Sequence, residues 1–198
     1  EPMEPGLDWD MWCGPAPLKP YNSAVCPRGI AEKFPRWRAY LEYGGGGVCD
    51  WGAHHLDIAQ WGLGTDESGP VEVRPAAQKD SGGGATLHYE NGVVVEHVNK
   101  GFGVHFKGED GEVLVNRGQF RFIYKGRKIA EHVEGSRGTS CRSQAMKAEK
   151  EFLKDAKVQL IRAKSHADEF LDCVRDRKRK PITSEIVGGH TVICCHLV

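Results

Sequence analysis

The chain has 198 residues, enough for one sizeable domain, and its 27 Lys plus Arg balance its 27 Asp plus Glu. That neutral balance removes the electrostatic drive for nucleic-acid or membrane-surface binding, and no apolar run approaches the roughly 20 residues of a membrane span. Seven scattered cysteines, odd in number and without a C-x-x-C, favour reduced thiols and a cytoplasmic compartment.

The first 35 residues are rich in Pro and Gly, and they open with neither a basic nor an apolar leader segment. With no initiator Met, the chain reads as an internal piece. Prolines exclude long helices here, while Trp9 and Trp12 need burial, so the stretch is expected to be an ordered but irregular arm. Residues 36–43, R-W-R-A-Y-L-E-Y, predict a short helix or turn. Arg36, Trp37 and Tyr43 are candidates to line a polyol pocket, with plain surface packing as the alternative. The domain organisation expected is an arm over 1–43 and one α+β domain over 44–198.

Residues 43–64, Y-G-G-G-G-V-C-D-W-G-A-H-H-L-D-I-A-Q-W-G-L-G, are the most informative stretch. Gly44, Gly45, Gly46 and Gly47 permit a tight turn or a close approach to a ligand. Asp50 has the chemistry of an N-cap, and a mostly apolar helix follows until Gly62 and Gly64. Residues three and four apart share a helix face, with Cβ atoms about 5–6 Å apart. Asp50, His54 and Asp57 therefore form one row, and a carboxylate beside an imidazole is a candidate acid/base pair. The plainer alternative is a cap and a packed histidine. A metal site is not expected: His54 and His55 point about 100° apart on a helix, and no H-E-x-x-H is present.

Strand signals begin after the loop T-D-E-S-G-P. Residues 71–74, 85–89, 93–98, 103–107, 112–116, 119–124 and 127–133 read as strands, with turns at S-G-G-G, Asn91-Gly92, G-E-D-G and Lys125-Gly126. Short turns between successive strands mean an antiparallel sheet. Helices are predicted over 143–156 and 164–178. In the second, His166, Phe170, Cys173 and Val174 recur at spacings of three and four, and R-D-R-K-R-K ends at Pro181. Ser184 and Glu185 open a last apolar helix that still runs at residue 198, which reads as a cut chain.

No G-x-G-x-x-G, P-loop or G-x-S-x-G is present, and no strand–helix alternation precedes residue 64. Four stretches in order do carry a resemblance: G-L-D-W-D-M-W-C-G-P-A-P, the 43–64 stretch, G-V-H-F-K-G-E-D-G-E-V-L-V-N-R-G, and H-A-D-E-F-L-D-C-V-R-D-R-K-R-K-P-I. Together they resemble the C-terminal domain of the glucose–fructose oxidoreductase / inositol dehydrogenase (Gfo/Idh/MocA) family over nearly the whole chain.

The resemblance implies an α+β fold with an open, mainly antiparallel sheet and helices on one face. In the family that sheet commonly forms a homo-oligomer interface, and a Rossmann domain binding NAD or NADP precedes it. The family's D-x-x-x-H falls on Asp50 and His54, with Asp57 after it. By that likeness His54 takes a proton from a sugar or cyclitol hydroxyl, while Asp50 polarises the imidazole and holds substrate. Gly44, Gly45, Gly46 and Gly47 would lie near the cofactor, and Arg36, Trp37, Tyr43, Trp51, His55 and Asp57 would contact substrate. The family's lysine in E-K-P has only a mimic here, Glu32-Lys33-Phe34-Pro35, where Phe34 intervenes and no Rossmann strand precedes. Lys33 is therefore rejected as that lysine, and the chain alone is expected to be inactive. Two other readings stay open: an NAD-dependent glycoside hydrolase of the same family, and a non-catalytic binding or assembly domain.

Overall fold

The computed structural model describes residues 1–29, 35–76, 83–98, 101–161 and 165–198. The Glu32–Lys33–Phe34 stretch and the first two residues of the S-G-G-G turn, Ser81 and Gly82, lie outside the described residues. After α1 (Trp9–Cys13) come a 3₁₀ turn (Arg36–Ala39), α2 (Leu41–Gly44), a π turn (Val48–Gly52) and α3 (Ala53–Leu63). Seven strands follow: β1 (Glu72–Arg74), β2 (Gly83–His88), β3 (Val94–Val98), β4 (Val104–Lys107), β5 (Gly111–Asn116), β6 (Gln119–Tyr124) and β7 (Arg127–Val133). Helices α4 (Cys141–Phe152), α5 (His166–Arg175) and α6 (Glu185–Leu197) complete the α+β fold.

The described strands form two antiparallel meanders, β1-β2-β3 and β4-β5-β6-β7, where the sequence suggested a single sheet. Turn chemistry sets the register. Gly92 adopts φ +84°, and the Asn91 side chain accepts from the Val93 N–H, closing the β2–β3 turn. Lys125 and Gly126 both have positive φ, at 48° and 73°, the geometry a two-residue hairpin requires. That turn places Arg127 opposite Tyr124 and Ala130 opposite Phe122.

Each sheet is covered by helix on one face. On the four-stranded sheet, Phe152 of α4 meets Phe122 and Tyr124 with centroids 5.4 and 5.2 Å away, over the buried Ala130 and Ala148. Helix α4 begins at a capping box in which Ser140 and Ser143 satisfy each other's backbone N–H. The three-stranded sheet packs under α3 and α6, where Leu56, Leu87, Tyr89, Cys194 and Cys195 form the main core. The adjacent cysteines at 194 and 195 are thus packing residues, as their apolar setting suggests. All seven cysteines are free thiols.

One polar network is buried in that core. Gln60, only 1% exposed, donates to the Thr65 and Ser68 carbonyls, and its Oε1 accepts from the Thr65 hydroxyl and from Tyr89. Gln60→Ala strands those partners away from water and is expected to cost roughly 1–3 kcal/mol in denaturant unfolding. A loss under 0.5 kcal/mol would contradict the network's role.

Burial also holds core acids neutral. It pushes the Cys195 thiol up to about 12 and raises Cys194 and the Tyr89 phenol. A raised folded pKa gives stability that is full below the unfolded value and declines as pH climbs towards the folded one. The melting temperature is therefore expected to fall between about pH 9 and 12, and Cys195→Ala should flatten part of that slope. A melting temperature level across that window would refute this.

The arm builds its own small core from Trp9, Cys13, Tyr21 and Val25, against which Trp12, Trp37 and Tyr43 pack. Helix α5 is shorter than the predicted 164–178 helix. It ends at Arg175, so most of the basic run lies beyond it, where Arg179 pairs with Asp172. Its apolar stripe is uncovered: Phe170 is 66% exposed and Val174 47%. No helix among the described residues is long and apolar enough to cross a membrane.

Candidate functional site

The glycine bend does two jobs in its two halves. Gly44 and Gly45 are required by packing. A Cβ on Gly44 would sit 2.8 Å from the Arg38 Cα, and one on Gly45, at φ +71°, would sit 2.5 Å from the Cys49 Sγ. Gly46 and Gly47 have nothing within 4 Å of where a Cβ would stand, so they offer bare backbone to open space.

The backbone then enters helix earlier than the sequence suggests. Gly47 already has φ −63° and ψ −31°, the π turn Val48–Gly52 runs directly into α3, and Gly52 precedes α3 with no side-chain cap. Asp50 is therefore not an N-cap, because its backbone is already inside a helical turn. Its carboxylate is engaged instead by Arg38 of the 3₁₀ turn, in a partly buried pair. Gly62 likewise does not end the helix. It lies within α3, where a Cβ would collide with Phe106 of β4 at 2.5 Å, so the glycine admits close helix–sheet packing. Gly64, left-handed at φ +68°, is the true C-terminal cap.

The candidate residues separate into three groups. His54 is exposed and makes a tilted edge contact with Trp51, centroids 6.5 Å apart. Trp51, itself 51% exposed, carries the Arg117 guanidinium 4.9 Å over its ring and meets Phe102 at 6.2 Å. His55 turns to the strands, with its Nε2 3.4 Å from the Asn116 Oδ1 and its ring 5.4 Å from Phe102. Asp57 faces α6 and accepts from the buried Thr191 hydroxyl at 3.1 Å, which ties two core helices together. Arg36 is exposed on the 3₁₀ turn, and Trp37 and Tyr43 pack against the arm core.

Helical spacing did bring the Asp50 and His54 positions to one turn of backbone, but it could not reveal Arg38 as the carboxylate's partner. It also missed Phe102, Asn116 and Arg117, which the β4–β5 hairpin carries to the α3 surface. The sequence signal for Asn116 and Arg117 was the N-R-G at the end of β5. Among the described residues no group of three or more His, Cys, Asp or Glu is placed to hold a metal.

The arrangement has the parts of a proton-transfer face: an accessible imidazole, a carboxylate fixed by a guanidinium, and exposed aromatic rims. An arginine-paired carboxylate is fixed in direction, so it can accept from a hydroxyl without rearranging.

No curated protein and no solved structure matches this chain. The family described as "Oxidoreductase family, C-terminal alpha/beta domain" matches over residues 1–193. With that match added to the α+β fold and the glycine bend, the chain belongs to the Gfo/Idh/MocA oxidoreductases and is their C-terminal domain.

Proposed function

We propose that this domain is the substrate-binding and oligomerisation half of an NAD- or NADP-dependent oxidoreductase acting on a sugar or cyclitol hydroxyl. The observation that carries the reading is the exposed His54 one turn beyond an Asp50 anchored by Arg38. His54 accepts the hydroxyl proton. Asp50 receives a hydrogen bond from a neighbouring hydroxyl and fixes the ring's orientation, while Trp51 gives it an apolar wall.

The fit to a nicotinamide cofactor is partial. The bare backbone of Gly46 and Gly47 suits close approach by a planar ring, but no βαβ cradle for the dinucleotide exists among the described residues. The bulk of the cofactor would be held by a separate nucleotide-binding domain, and its chemistry when bound is to accept the hydride. The deciding experiment supplies sugars and cyclitols to this domain assembled with such a partner. Net accumulation of reduced nicotinamide is expected; glycoside cleavage without it would favour the hydrolase reading, and neither activity would favour a binding module.

Half-exposed Val94 and Val98 on β3 add apolar area to the uncovered sheet surface, which favours a homo-oligomer through that face. Sedimentation equilibrium is expected to report a species larger than one chain, and Val94→Lys should shift it towards monomer. A concentration-independent monomer would remove this part of the proposal.

A further inference from the structure

The arm encloses a second concave surface beside the glycine bend. Trp12, Cys13, Pro15, Trp37, Glu42 and Tyr43 line an open cavity of about 560 Å³, within the roughly 300–1,000 Å³ of small-molecule sites. Its walls are aromatic and preset. Trp12 stacks on Trp9 at 4.6 Å and meets Tyr43 edge-on at 5.4 Å. Trp9 is locked in turn, its indole N–H donating to the Lys19 carbonyl at 2.6 Å. The Lys19 ammonium pairs with Glu42 and lowers that carboxyl's pKa, which keeps a charged acceptor in the wall. Burial, then the nearby Cys13 thiol, pushes the Tyr43 phenol up, so it remains a neutral O–H donor.

Three aromatic rings with one fixed carboxylate match a pyranose better than other ligands. Sugar C–H bonds carry partial positive charge and pack on the negative face of an aromatic ring, while the hydroxyls donate to a carboxylate. A wholly apolar ligand would desolvate the Glu42–Lys19 pair without repaying its lost water contacts. The cavity is also joined to the candidate catalytic turn. Arg38, which holds Asp50, lies 4.8 Å over the Trp37 ring, and a Cβ on Gly44 would come within 3.2 Å of that ring.

We propose that this cavity is a second sugar subsite, holding the neighbouring ring of a disaccharide or glycoside whose other ring is presented to Asp50 and His54. The assignment of that other ring rests on the oxidoreductase reading above; the cavity's own affinity for a sugar does not.

The test titrates the chain with cellobiose, lactose and maltose, and with glucose and galactose as single-ring controls, by calorimetry and tryptophan fluorescence. At least one disaccharide is expected to bind about tenfold tighter than its single rings, and Trp37→Ala should erase that margin. Trp37→Phe should keep most of it. Glu42→Gln, which preserves shape and removes charge, should weaken disaccharide binding roughly fivefold. The last two variants keep the test valid if Trp37→Ala unfolds the arm. Equal affinity for one and two rings, or a margin unmoved by both Trp37→Ala and Glu42→Gln, overturns the subsite. So does NAD binding more tightly than any sugar and losing that affinity in Trp37→Ala. The readout involves no turnover. A chain that binds disaccharides but whose assembled enzyme ignores His54→Ala refutes only the oxidoreductase reading. The reverse pattern refutes only the subsite.

Discussion

Replacing His54 by Ala is expected to lower kcat of the assembled enzyme by about 100-fold or more, the usual share of a general base. The melting temperature should stay within a degree or so, because surface substitutions away from packed features typically change stability by no more than about 0.5 kcal/mol. His54 is exposed, and its ring meets the half-exposed Trp51 edge-on. Loss of activity without loss of fold is what separates proton transfer from packing. The contrast is His55→Ala, which removes a contact with Asn116 and should cost stability more than chemistry. Wild-type turnover in His54→Ala would take the imidazole out of the mechanism and leave Asp50 and Arg38 as structural residues.

Gly45→Ala and Gly47→Ala are expected to behave as opposites although they sit two residues apart. At Gly45 the positive φ of 71° costs a side chain about 1–2 kcal/mol. The Cβ would also press on Cys49 at 2.5 Å and on His196 at 3.0 Å, an overpacking penalty of about 1–3 kcal/mol. Together these predict roughly 2–5 kcal/mol of destabilisation in equilibrium unfolding. Gly47 has an ordinary helical φ and open space around it, so alanine there should leave stability unchanged or slightly raised. If Gly47→Ala nonetheless loses activity at full stability, the bare backbone serves a ligand. Equal stability of both variants would mean the bend is not packed as described.

The distinction between these glycines was invisible in a run of four identical letters. Nothing in G-G-G-G says that the first two are pressed against Arg38 and Cys49 while the last two face outwards. Asp57 gives the same lesson from the other side. Helical spacing put it in the row of Asp50 and His54, but its oxygen is taken by Thr191, more than a hundred residues later in the chain. The α5 stripe shows a limit of periodicity itself. Phe170 and Val174 repeat as a buried face should, yet nothing among the described residues covers them.

What the sequence by itself determined is the local grammar. Alternating strands, the Asn-Gly and Lys-Gly turns, the serine cap at 184 and the glycine after α3 each depend on backbone preferences within a few residues. Tertiary structure alone decided that the strands split into two sheets, that Arg38 rather than a helix terminus holds Asp50, and that the arm shapes an open cavity of its own. Those outcomes turn on which distant side chains meet, and a carboxylate takes the strongest donor within reach, whatever its distance along the chain.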